Sequence, residues 1–185
     1  MIKVGSTKIK NLITELSIEE FEKVSSYINN NELEPFERWV NVFIYLGANE
    51  NEVNEMEFSE FKDLVQKFNT SKKKFELEFT KEIELEGYTY RSYEDEFKVS
   101  VRDLRYIEKM IKKDNASYMA NMMAILFKRT DLSTTEHYAD AHIKYKAKLF
   151  KKQPAHLVVP FATYIGNKLG ETAERAKNEA TEVME

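Results

Sequence analysis

The side chains of this 185-residue chain that could do chemistry are three histidines and a large set of lysines and carboxylates. His137 and His142 are five residues apart, so a continuous helix would hold them roughly 140° apart, whereas a four-residue spacing would place them on one metal-binding face. His156 lies beyond Pro154, and the carboxylates near the first two, Glu136 and Asp140, are of a kind common all along the surface, so no metal site is expected. The chain has no cysteine, which excludes a disulfide framework, a thiolate zinc site, an iron–sulfur cluster and a cysteine nucleophile. The G-x-S-x-G, H-E-x-x-H and G-x-x-x-x-G-K-[ST] patterns are missing, and five glycines do not assemble a phosphate-cradling loop. The carboxylate pairs Glu19-Glu20, Glu76/Glu78 and Glu84/Glu86 read as solvent-facing side chains of a helix and of strands. No catalytic, cofactor-binding or metal-ligating residue is assigned, no cofactor is expected, and the chain is read as a non-enzyme.

The basic residues carry the stronger signal. Residues 1–70 sum to −6 and residues 100–170 to +7, so the net charge of −4 hides a segregation. Arg102, Arg105, Lys109 and Lys112 line one side of a predicted helix, and Lys144, Lys148, Lys151 and Lys152 line another, the latter run also containing Lys146, Tyr145 and Phe150. These eight residues are the candidate interaction surface. They could hold phosphates or an acidic protein surface, or be a solvated face whose lysine stems cover apolar neighbours. The scarcity of arginine in the second run argues against fork-type recognition of phosphate or bases. An acidic half and a basic half on one chain can lie against each other or join neighbouring copies head to tail, which makes assembly the economical explanation.

The elements that must position these groups are mostly helical. Residues 1–14 have no period and read as an extended arm bent at Gly5 and Ser6. Ser17 to Glu20 is a capping box that opens a helix with Phe21, Val24 and Ile28 inward, and Pro35 precedes a helix with Phe36, Trp39, Val40, Phe43 and Ile44 inward that ends at Gly47. A short turn at Glu52 to Asn54 leads to a helix with Phe58, Phe61, Leu64, Val65 and Phe68 inward. Between Phe75 and Val99 the period changes to two, over Phe75 to Phe79, Ile83 to Glu86 and Tyr88 to Tyr90, which predicts a small antiparallel sheet turning at Gly87, with Phe97 and Val99 as a last short strand. Ser100 and Asp103 start a helix with Val101, Leu104, Ile107, Met110 and Ile111 inward, broken at Asp114-Asn115. Residues 116–127, apolar nearly all round, form the central buried helix, in which Met119, Met122 and Met123 are core filler. A second capping box, Ser133 to Glu136, opens one helix to about Gln153 with Tyr138, Tyr145 and Leu149 on a stripe. A last helix carries Leu157, Val158, Phe161, Ile165 and Leu169, with Gly166 and Gly170 in a small-residue pattern read as packing. The organisation is an arm over 1–14, a single globular α+β domain over 15–170 and a charged helical tail over 171–185. The fold class is α+β and predominantly helical, a helical bundle with a small antiparallel sheet or hairpin inserted near the middle. No run approaches the roughly 20 apolar residues of a membrane span, so no membrane partner is expected and the protein is read as soluble.

The run Leu16-Ser-Ile-Glu-Glu-Phe, then Glu37-Arg-Trp-Val with Ile44-Tyr-Leu-Gly-Ala-Asn-Glu-Asn-Glu-Val53, then Phe58-Ser-Glu-Phe-Lys-Asp-Leu, resembles small proteins of the structural modules of tailed bacteriophages, the tail assembly chaperones among them. The turn Glu86-Gly-Tyr-Thr-Tyr and the stretch Ala124 to Arg129 extend the likeness, which covers most of residues 16–165, and the Lys-, Asn- and Glu-rich composition suits a crAss-like phage or another phage of an AT-rich host. The resemblance implies a role in building a virion through contacts with other phage virion or tail proteins, as an assembly chaperone or as a neck, ring, capsid-associated or tail component. It implies a homo-oligomer or hetero-assembly, in the host cytoplasm during assembly or in the virion. Its motifs are architectural and transfer no functional residue. The alternative is a small nucleic-acid-associated or regulatory module that uses the basic helix faces.

Overall fold

A segment as apolar as Tyr118–Leu126 can be stable in water only if other elements cover it on every side. In the computed structural model, which describes residues 1–10, 15–71, 80–92, 99–113, 117–165 and 167, every residue from Met119 to Phe127 is buried. The chain is a predominantly helical α+β protein. In chain order it runs β1 (Ile2–Val4), β2 (Thr7–Ile9), α1 (Ile18–Ile28), α2 (Pro35–Tyr45), α3 (Glu50–Asn54), α4 (Phe58–Ser71), β3 (Glu82–Leu85), β4 (Tyr88–Arg91), α5 (Val101–Lys113), α6 (Tyr118–Leu126), β5 (Lys128–Arg129), α7 (Thr134–His137) and α8 (Asp140–Lys151). A 3₁₀ turn at Ala155–Leu157 leads into α9, residues 159–165.

Two apolar clusters share α1. The first surrounds α6 with α5, α8, the β3–β4 hairpin and α9, through Ile107, Ile143, Phe150, Tyr90 and Phe161. The second joins β1–β2 to α2, α3 and α4, through Val4, Ile9, Phe43, Val53 and Phe61. Helix α1 lies between them, with Ile18 in the first, Val24 in the second and Phe21 packed on both. Backbone bonds from Ile18 N–H to the Gln153 carbonyl and from Ala155 N–H to the Leu16 carbonyl, each 2.8 Å, fasten the start of α1 to the chain after α8. The expected capping boxes form at both places, with Ser17 and Glu20 at α1 and Ser133 and Glu136 at α7.

The sheet near the middle is antiparallel in the order β3-β4-β5, with Ile83 opposite Tyr90 and Tyr90 opposite Arg129. Its hairpin turns through Glu86 and Gly87, both at positive φ, the pairing that a type I′ turn requires. β5 is a finding: two residues give no period, and the strand exists because the chain leaving α6 passes beside β4. The first ten residues, read as an extended lead-in, form a second hairpin with Val4 and Ile9 buried, because one apolar residue on each strand suffices once the second cluster supplies a surface. Its bend is at Gly5 and Ser6, with Gly5 at φ +54°. A Cβ on Gly5 would collide with the Glu52 carboxylate, which accepts from Ser6 N–H at 3.0 Å. Gly5→Ala is therefore expected to lower stability by about 1–2 kcal/mol through left-handed backbone strain alone, measured by urea unfolding.

Several apolar residues expected inside lie outside. Phe58 is 73% exposed, Val101 68% and Phe36 47%, each standing in the first turn of its helix, beyond the elements that cover the rest of the stripe. The helix expected from Ser133 to Gln153 is interrupted at Tyr138 and Ala139, so α7 and α8 are separate. The buried stripe of α8 is Ile143, Lys146, Ala147 and Phe150, and Tyr145 is exposed. The strand expected over Phe75 to Phe79, Phe97, the break at Asp114-Asn115, the Gly166 to Gly170 pattern and the tail 171–185 lie outside the described residues.

Candidate functional site

Three charged side chains fold into the interior, and two of them build a polar centre between α5, α7, α8 and the end of α6. Asp103 and Lys146 are both 0% exposed, and His137 beside them is 3% exposed. Asp103 is held as the capping partner of Ser100, accepting from its hydroxyl at 2.7 Å and its N–H at 3.2 Å. Its other oxygen accepts from the Tyr138 hydroxyl and faces the Lys128 ammonium at 3.4 Å. Lys146 Nζ donates to the Phe127 carbonyl at 3.1 Å and lies 3.2 Å from His137 Nδ1, while His137 Nε2 lies 3.4 Å from the Ile125 carbonyl. The interruption between α7 and α8 makes this possible, since it brings the His137 and His142 rings within 6.2 Å, where one continuous helix would hold them apart.

Burial dominates the titration of these groups. It lowers Lys146 to about 7, with repulsion from Lys128 adding and Asp103 opposing, and it lowers His137 to about 4, with the Lys146 charge second. His142 is lowered by the same two causes, and Tyr138 is raised by burial and by donating to Asp103. An amine that loses its proton near neutrality is the raw material of general-base and Schiff-base lysines. Lys146 offers no surface for a solute to meet, so its chemistry is confined to the proton it carries. Among the described residues no group of three or more histidines and carboxylates is gathered closely enough to hold a metal ion.

The third buried charge, Glu22 of α1, accepts from Met119 N–H at 2.6 Å and Ala120 N–H at 3.2 Å, capping the start of α6. Beside it a cleft of about 230 Å³ is lined by Glu19, Lys23, Ser26, Ser117 and Lys151. None of these buried roles was anticipated, and Lys146 leaves the surface run to which its neighbours belong. A signal existed in each case. Glu22 stands four residues after buried Ile18, Asp103 four before buried Ile107, and Lys146 three after Ile143 and four before Phe150, so all three occupy buried-stripe positions.

The eight candidate surface residues divide between two helices. Arg102, Arg105, Lys109 and Lys112 are exposed on α5, and Lys144, Lys148 and Lys152 are exposed on and just after α8, whereas Lys151 is partly covered with Glu19 at 3.9 Å. Both helices pack on α6, which lies between them, so the two basic faces are separate surfaces. The α5 face has an aromatic floor: the Tyr106 and Tyr138 rings stack at 5.0 Å, with the Lys109 ammonium 5.8 Å from the first and the Arg102 guanidinium 5.5 Å from the second. Among the described residues no carboxylate lies within 4.0 Å of the four α5 cations, nor of Lys144, Lys148 and Lys152.

An acidic surface stands across the fold on α2 and α4. Residues 32–63 contain nine acidic and two basic side chains, and Glu32, Glu34, Glu57, Glu60 and Asp63 are exposed with no ion pair among the described residues. Phe36 rests on Phe61 with centroids 4.4 Å apart, and Phe58 lies one turn before Phe61 on α4, so exposed aromatic rings sit among these acids. Comparison with protein-family models, with curated proteins and with solved structures finds no match. No helix among the described residues is long and apolar enough to cross a membrane.

Proposed function

We propose that this chain is a non-enzymatic bacteriophage virion assembly or structural protein, of the tail-assembly-chaperone kind or a neck, ring, capsid-associated or tail component, acting through protein–protein contacts in the host cytoplasm or in the particle. The observation that supports this best is the placement of its reactive and its adhesive groups. Lys146 and His137, whose proton affinity burial lowers, are sealed inside, while aromatic rings and two sets of unneutralised charges are turned outward. That is the arrangement of a surface for binding macromolecules. The test is mass spectrometry of purified particles, and of tail precursors drawn from phage-producing cells with a tagged chain. The chain is expected in the particles or in stoichiometric complex with a tail protein; its absence from both overturns the reading.

The cationic stripe of α5 over its tyrosine floor favours one further reading, a nucleic-acid-associated module. That reading predicts DNA or RNA binding at low ionic strength that weakens steeply with salt and is lost in Arg102→Gln/Arg105→Gln. A gel shift showing no binding at low salt removes it.

A further inference from the structure

The four α5 cations and the carboxylates of the α2–α4 face are unneutralised and the fold does not bring them together; exposed Glu108 borders the first set and exposed Lys62 stands within the second, so each face is predominantly of one sign. Arg102, Arg105, Lys109 and Lys112 recur at intervals of three, four and three, so they form one row about 15 Å long. Exposed Val101 stands at its start. On the other surface, Glu57 and Glu60 flank exposed Phe58 at the start of α4, with Glu34 beside exposed Phe36 at the start of α2. Each face thus pairs an apolar end with a row of like charges, and the signs are opposite. We infer that the α2–α4 face of one copy receives α5 of a second copy, with Arg102 and Arg105 against Glu57 and Glu60 and Val101 against the Phe36 and Phe58 rings. A contact between two different faces is head to tail, so it closes into a ring or continues as a filament. The inference rests on reading these faces as protein-contact surfaces and adds the identity of the occupant.

The test is a reciprocal charge exchange read by light scattering coupled to size exclusion. The unaltered chain is expected to form an oligomer at about 50 mM salt and to fall to its monomer mass of 21.8 kDa at about 500 mM, where the Debye length is roughly 4 Å. Arg102→Glu/Arg105→Glu alone, and Glu57→Lys/Glu60→Lys alone, are each expected to be monomeric at low salt, since like charges then face each other. An equal mixture of the two variants is expected to assemble again, because every contact between unlike variants pairs opposite charges. All four positions are exposed, so circular dichroism melts should match the unaltered chain. Should a reversal variant fail to fold, the neutral pairs Arg102→Gln/Arg105→Gln and Glu57→Gln/Glu60→Gln are expected to lose the oligomer in the same way. A monomer at low salt overturns the inference, as does an oligomer that survives either reversal or a mixture that stays monomeric. A monomer that still co-purifies with a tail protein overturns self-docking while leaving the proposed function standing, and an oligomer missing from particles and tail complexes does the reverse.

Discussion

Glu22→Ala is expected to lower the unfolding free energy by about 2–4 kcal/mol, because it leaves the Met119 and Ala120 N–H groups buried without an acceptor, each at a penalty of about 1–3 kcal/mol. Helix α6 is the centre of the first apolar cluster, and its opening N–H groups face α1 and are shut off from water. A carboxylate is the best partner for that position, since it accepts two bonds and its charge is favoured at a helix N-terminus. Glu22→Gln keeps one acceptor oxygen without the charge and is expected to lose about half as much. Urea unfolding of the two variants gives the comparison. Because Glu22 joins the helix shared by both clusters to the core of one, Glu22→Ala should also sharpen sensitivity to proteolysis near α6. A loss below about 0.5 kcal/mol, the range of an ordinary surface substitution, would remove Glu22 from this role.

The buried amine of Lys146 is expected to make stability rise with pH above about 7. Lys146 holds a proton in the unfolded chain up to its ordinary value of 10.5, but in the folded chain only up to about 7. Below about 7 both states are protonated and the folded state carries the whole penalty of an enclosed ammonium. Above it the unfolded chain binds the extra proton, so stability climbs. At 1.36 kcal/mol per pH unit the climb from pH 7 to 9.5 is about 2–3 kcal/mol. Tyr90, Tyr118 and Tyr138 are raised by burial, so stability falls again above about pH 10, which closes the window. His137 adds an acid limb: its folded value of about 4 lies below the ordinary 6.5, so stability is lost as pH falls from 6.5 towards 4. The charged and titratable groups facing the pair are Lys128, Asp103 and His142. Lys146→Met fills a similar volume and is expected to flatten the climb and to shrink the acid limb without abolishing it, because burial, the larger cause of the lowered His137 value, remains. Guanidinium unfolding at pH 5, 7, 8 and 9.5 checks both limbs, and an unaltered slope in the methionine variant would show that Lys146 does not cause it.

Most elements could be read from residue patterns because their causes are local. Capping boxes at Ser17 and Ser133, Pro35 in the first turn of α2, the alternation from Ile83 to Tyr90 and the turn at Gly87 act within a few residues of the structure they produce. The errors occur where a distant surface decides. The hairpin of the first ten residues exists because α3 and the second cluster cover Val4 and Ile9, and β5 exists because β4 runs beside the exit of α6. Phe58, Val101 and Phe36 match the period of their buried stripes, yet the covering elements stop one turn short of them. Of the eight predicted basic residues, seven are exposed as expected and Lys151 is partly covered, but the division of the set by α6 is visible only in three dimensions.

Amino-acid order determined a helical chain with one mid-chain hairpin, a central apolar helix, segregated charge and no recognisable catalytic pattern, all properties written in neighbouring residues. Tertiary structure alone decided that Glu22, Asp103 and Lys146 are inside and that the α5 and α2–α4 charges remain unpaired. A charged residue can occupy a buried-stripe position only when the fold delivers partners from elsewhere in the chain, as α6 does for Glu22, Tyr138 and Lys128 for Asp103, and the Phe127 carbonyl and His137 for Lys146. Those partners lie between 9 and 98 residues away, beyond the reach of any periodicity.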